Sequence, residues 1–79
     1  MKLPRDLSGQ DLADLLCRNW YYRVIHQEGS HIILETDRPS HQRIAIPAHK
    51  HLRIGTLSAI LRSVARHKGV ERHELIKSL

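Results

Sequence analysis

Seventy-nine residues suffice for one domain with one modest core, and a chain of that size commonly gains stability from a partner. Thirteen Lys and Arg against eight Asp and Glu, net +5 with seven neutral histidines, point to nucleic acid or an acidic protein as the contact, without choosing between them. The single cysteine, Cys17, excludes an internal disulfide and a cysteine-based zinc site, and no apolar run approaches the roughly 20 residues that span a bilayer.

The segment Met1 to Asp6 has no apolar core of a signal peptide, which together with the lone cysteine predicts a reducing, cytoplasmic setting. A first helix is predicted from about Gly9 to Asn19. Ser8 is its expected N-cap, Asp11 suits the positive end of the helix dipole, and Leu7 and Leu12 are placed to staple the cap. Leu12, Leu15 and Leu16 form one apolar stripe, with Trp20 a turn further on. Trp20, Tyr21 and Tyr22, clustered at a helix–strand junction, read as core.

Tyr21 to Gln27 reads as a strand, Glu28-Gly29 as a tight turn, and His31 to Thr36 as a second strand. Alternation sends Ile32, Leu34 and Thr36 to one face and His31, Ile33 and Glu35 to the other, so His31 points away from the helices, and Ile33 is the awkward residue. After a turn at Asp37-Arg38-Pro39-Ser40, Gln42 to Ile46 is a third strand with Arg43 on its outer side, stopped by Pro47. Ala48 to Ile54 is a basic loop. A second helix runs from Gly55 or Thr56 to His67 with Leu57, Ile60, Leu61 and Val64 as its stripe, and Gly69 ends it. Arg62, Arg66 and Lys68 read as its solvated side, and Glu71 to Leu79 as a short last helix. Connections this short make the three strands antiparallel, and two helices on one face of such a sheet give an α+β fold in a single domain, residues 1–79.

Histidine is the side chain best suited to move a proton near neutral pH, and Gly29-Ser30-His31 sets one at the mouth of the predicted hairpin. In a basic domain, such a residue makes cleavage of an RNA backbone a hypothesis to weigh, although a histidine beside a turn is by itself most often only solvated. RNA carries its own nucleophile, the 2′-hydroxyl, so the protein must take one proton, assist the leaving 5′-oxygen and neutralise the phosphorane. Arg23 and Arg43 on the outer face, and Lys50 with His49 in the basic loop, are the candidates to hold phosphate, with His49 also a candidate acid. His49-Lys50-His51 lacks a third ligand at a convincing spacing, so neither a metal site nor a cofactor is expected.

Taken in order, Ser8-Gly9-Gln10-Asp11-Leu12, Arg23 through Gly29-Ser30-His31, Ile46-Pro47-Ala48-His49, Gly55-Thr56-Leu57 with Ile60-Leu61, and Gly69-Val70-Glu71 to Leu79 resemble the HicA, or YcfA-like, family of toxins from prokaryotic type II toxin–antitoxin pairs. The resemblance implies a double-stranded-RNA-binding-domain-like α-β-β-β-α fold with a three-stranded antiparallel sheet and a short C-terminal helix. It also implies an mRNA interferase, with RNA as substrate and a HicB-type antitoxin as partner, and His31 in the place of the catalytic histidine. Gly29 and Ser30 belong to the same hallmark and are expected beside the substrate. The chain departs from the pattern at Ile32, where many members carry a second histidine, and at Glu71, where a Ser or Thr cap is usual. Two other functions stay open on the residues: a non-catalytic RNA-binding module of the same fold, and a protein-interaction domain that docks an acidic partner.

Overall fold

A computed structural model of the chain describes residues 6–79; most of the segment read for a leader lies outside them. Helix α1, Gly9–Asn19, begins where predicted: the Asp11 amide donates to Ser8 Oγ at 3.0 Å, which satisfies one of the free N–H groups of the first turn. Leu12, Ala13 and Leu16 of α1 are buried, and Leu7 packs against the same core from outside the cap.

The predicted first strand starts too early. Tyr21 takes a left-handed φ of 63° at the end of α1, a place usually given to glycine, and the residue is 63% exposed rather than core. Two contacts hold it there: the Thr36 hydroxyl donates to the Tyr21 carbonyl at 2.8 Å, and the Arg38 guanidinium lies 4.4 Å from the ring centroid. Tyr22 is buried as expected, and Trp20 is half-buried, its indole N–H donating to Ser78 Oγ at 3.1 Å.

Strands β1, Arg23–Glu28, β2, His31–Thr36, and β3, Gln42–Pro47, form an antiparallel sheet in the order β1-β2-β3. The β1–β2 register shifts between Val24 and His26, which leaves Ile25 as an unpaired bulge in an edge strand exposed along its whole length. Ile32, Leu34 and Thr36 face inward and are buried, as alternation predicts. Ile33 faces outward and is still only 7% exposed, because His26 and Ala45 sit across from it on either side.

Helix α2, Ile54–Lys68, ends at Gly69 (φ 70°), and α3, Arg72–Lys77, follows; Glu71 makes no side-chain capping bond, so α3 starts without that support. Leu57, Leu61 and Val64 of α2 and Leu75 of α3 join the α1 leucines, Ile32, Leu34 and Ile46 in one core cluster. Each fully buried aliphatic side chain there is worth about 1.5–3 kcal/mol of transfer free energy. The helices thus cover one face of the sheet and leave the other open. Among the described residues no helix is long and apolar enough to cross a membrane.

Candidate active site

His31 is the first residue of β2, directly after a two-residue hairpin loop formed by Gly29 and Ser30, one position later than the predicted turn. Gly29 has φ 57°, the left-handed value that the first position of such a tight loop requires and that a side chain would resist. In register, His31 lies between Glu28 of β1 and Pro47 of β3. Its side chain projects from the open face and is exposed. Among the described residues, no hydrogen bond or ion pair engages its imidazole.

Three backbone bonds bring the basic loop to this end of the sheet. The Ala48 amide donates to the Ser30 carbonyl at 2.6 Å, the Gly9 amide to the His49 carbonyl at 2.9 Å, and the Leu52 amide to the Leu7 carbonyl at 2.9 Å. The loop is therefore tied both to the hairpin and to the start of α1. Gly9 makes this possible: a Cβ built there would lie 1.8 Å from the Pro47 carbonyl oxygen. Its role is the close approach of two backbones. Gly29, Ser30, His31, His49 and Lys50 consequently share one end of the molecule, all five exposed to solvent.

Arg23 and Arg43 are on the same open face at the other end. Both pair in register with Glu35, four residues beyond His31, which places them about 13 Å along the strand. Their guanidinium groups converge on the Glu35 carboxylate, Arg23 at 3.4 Å and Arg43 at 3.8 Å, and His41 joins them at 3.3 Å. Arg23 also reaches Asp37 at 3.0 Å. The far end of the face is thus largely charge-balanced, and at the near end His26 lies 3.5 Å from Glu28. Cations without an acidic partner among the described residues occur instead in the loop, at Lys50 and Arg53, and on α2. There Arg62 and Arg66 line a cleft of about 560 Å³ with Gln42, Ala59, Ser63 and His67.

Sequence reasoning missed Glu35 as the centre of this cluster, because its partners come from three separate segments. It also misread Lys68. The ammonium is drawn in from the helix surface to donate to Thr36 Oγ1 at 2.9 Å and the Arg38 carbonyl at 2.7 Å, and it sits 4.7 Å from the Tyr22 ring centroid. Burial, and then the nearby Arg38 charge, lower its pKa. Burial likewise raises the Tyr22 phenol to about 12, and its hydroxyl donates to Gln42 Oε1. Cys17 is shifted upward by burial and by Asp14, away from the reactive thiolate form. Among the described residues no three His, Cys, Asp or Glu side chains come together as a metal-ligand group.

The arrangement offers an exposed imidazole on a well-tied hairpin, beside a cationic loop, on an open sheet surface. Such a surface suits an extended polyanion better than a small molecule. One protein family, described as "HicA toxin of bacterial toxin-antitoxin", matches residues 9–73, most of the chain. No curated protein matches it, and no solved structure does.

Proposed function

The chain belongs to the HicA toxin family, and is thereby the toxin of a bacterial toxin–antitoxin pair with an antitoxin as its partner; from that premise we propose that it is a cytoplasmic endoribonuclease that cuts messenger RNA at His31. The observation that carries this reading is the placement of His31. It is exposed, free of any partner that would occupy its ring among the described residues, and set on the hairpin to which the loop bearing His49 and Lys50 is bonded.

In this reading His31 takes the proton of the 2′-hydroxyl as that oxygen attacks the adjacent phosphorus. The bond from O2′ to phosphorus forms and the bond from phosphorus to O5′ breaks. The departing 5′-oxygen receives a proton from His49 or from water. Lys50 supplies positive charge to the phosphorane, and the Gly29-Ser30 turn lets the backbone of the hairpin approach it. Arg23 and Arg43 serve a more distant phosphate. The products are a 2′,3′-cyclic phosphate and a 5′-hydroxyl. No step draws on a cofactor. With few aligned groups on an open surface, turnover is expected to be slow. A HicB-type antitoxin restrains the enzyme by covering this face.

End-group analysis of the cleaved RNA tests the chemistry. A 2′,3′-cyclic phosphate, with cutting abolished by a single 2′-deoxy substitution at the cleaved nucleotide, is expected. Products ending in a 5′-phosphate and a 3′-hydroxyl would rule out attack by the 2′-hydroxyl.

A further inference from the structure

On the ribonuclease reading, we propose that Glu35 with Arg23, Arg43 and His41 is a second phosphate subsite, in which Glu35 is a built-in competitor that an incoming RNA phosphate must oppose. Arg23, His41 and Arg43 reach this one carboxylate from β1, from the turn before β3 and from β3, at 3.3–3.8 Å. The carboxylate is the shielded member, 19% exposed, whereas Arg23, His41 and Arg43 are each more than half exposed. The three side chains therefore present their outer sides to solvent while their inner sides are held. A guanidinium has five N–H donors; Arg43 meets Glu35 alone and Arg23 meets Glu35 and Asp37, so each keeps donors free for a planar or tetrahedral oxyanion.

The spacing fits a strand that also reaches His31. Phosphates of one stacked strand are about 3.4 Å apart along the axis, so the ~13 Å between the two ends of the face spans about four nucleotides, and fewer in an extended strand. Ile33, apolar and shielded, lies between the two ends. It offers no charge there, so contact is made at two separated phosphates.

The sign of the Glu35 effect follows from charge. A phosphate about 5 Å from the carboxylate loses roughly fourfold in affinity to repulsion at the dielectric constant of water. Salt screens that interaction, so the effect is largest at low ionic strength. Removing Glu35 is thus predicted to strengthen RNA binding, the reverse of what removing a simple ligand-binding residue does.

The test uses a fluorescein-labelled 2′-O-methyl RNA hexamer, which lacks the nucleophile and cannot be cut, followed by polarisation across a salt series. Glu35→Gln is expected to bind about fourfold more tightly than the native protein at low salt. Arg43→Gln and Arg23→Gln are each expected to bind more weakly and to lower the salt slope by about 0.7. Thermal melts accompany each variant, and the arginine variants carry the test if Glu35→Gln does not fold. Unchanged or weaker hexamer binding by folded Glu35→Gln, with the native protein binding and cutting RNA normally, overturns the subsite and leaves the ribonuclease reading standing. Absence of hexamer binding by the native protein overturns both.

Discussion

Replacing Gly9 by alanine should damage both the fold and the site. The new methyl group would lie 1.8 Å from the Pro47 carbonyl oxygen, 2.9 Å from its carbon and 3.1 Å from the Ala48 Cα. All three atoms belong to backbone, so no rotamer change relieves the clash. Restoring an ordinary contact moves the start of α1 from the end of β3 by more than an ångström, and the Gly9–His49 hydrogen bond of 2.9 Å lengthens with it. Overpacking of this kind costs about 1–3 kcal/mol and the lost bond about 1 kcal/mol. Alanine's better helix propensity, which already contains the stiffer unfolded chain, returns up to about 1 kcal/mol. A net loss of roughly 1–3 kcal/mol remains, which for a domain of this size lowers the melting temperature by about 5–20 °C. Gly55→Ala is the matched control, because a Cβ at Gly55 meets nothing within 4 Å. It should leave the melting temperature unchanged or raise it slightly. Thermal denaturation followed by circular dichroism measures both. If Gly9→Ala melts within two degrees or so of the native protein while Gly55→Ala does the same, the backbone contact with Pro47 does not constrain position 9.

Thr36→Val should cost roughly 1–3 kcal/mol, since the fully buried hydroxyl serves the Tyr21 carbonyl, the Lys68 ammonium and the Arg38 amide, and coincident urea midpoints would contradict that. Tyr22, whose folded-state pKa is raised from 10.0 to about 12, keeps its proton where the unfolded chain has lost it. Stability is thus expected to fall as pH rises from 10 to 12, by at most about 2–3 kcal/mol, and Tyr22→Phe should remove that part of the fall. Urea midpoints at pH 9 and 11 decide it, and equal pH dependence in both proteins would count against the buried phenol.

The elements were legible in the sequence because their signals are local. Ser8 caps α1 through an amide three residues away, Gly29 supplies its own backbone angle, and Ile32, Leu34 and Thr36 alternate within one strand. What the local pattern does not carry depends on residues distant in the chain. Tyr21 looked like the start of a strand on β-propensity, yet the hydroxyl of Thr36 and the guanidinium of Arg38 hold it in a left-handed, exposed position. Ile33 lies on the outer face by period and is covered by its cross-strand neighbours. Gly9 reads as an ordinary helix residue, because nothing in the neighbouring sequence announces a carbonyl from Pro47. Strand alternation puts Arg23 and Arg43 on the correct face, but their separation from His31 and their common hold on Glu35 appear only with the register.

Cleavage of a labelled mixed-sequence RNA by the purified toxin, in EDTA, beside His31→Ala prepared in the same way, asks whether His31 is the catalytic group. Cutting by the native protein and none by the variant is expected, with equal binding of an uncleavable RNA by both. Equal cutting by both proteins, or binding by both with no cutting by either, would contradict it and leave Gly29-Ser30-His31 as the chemistry of a turn.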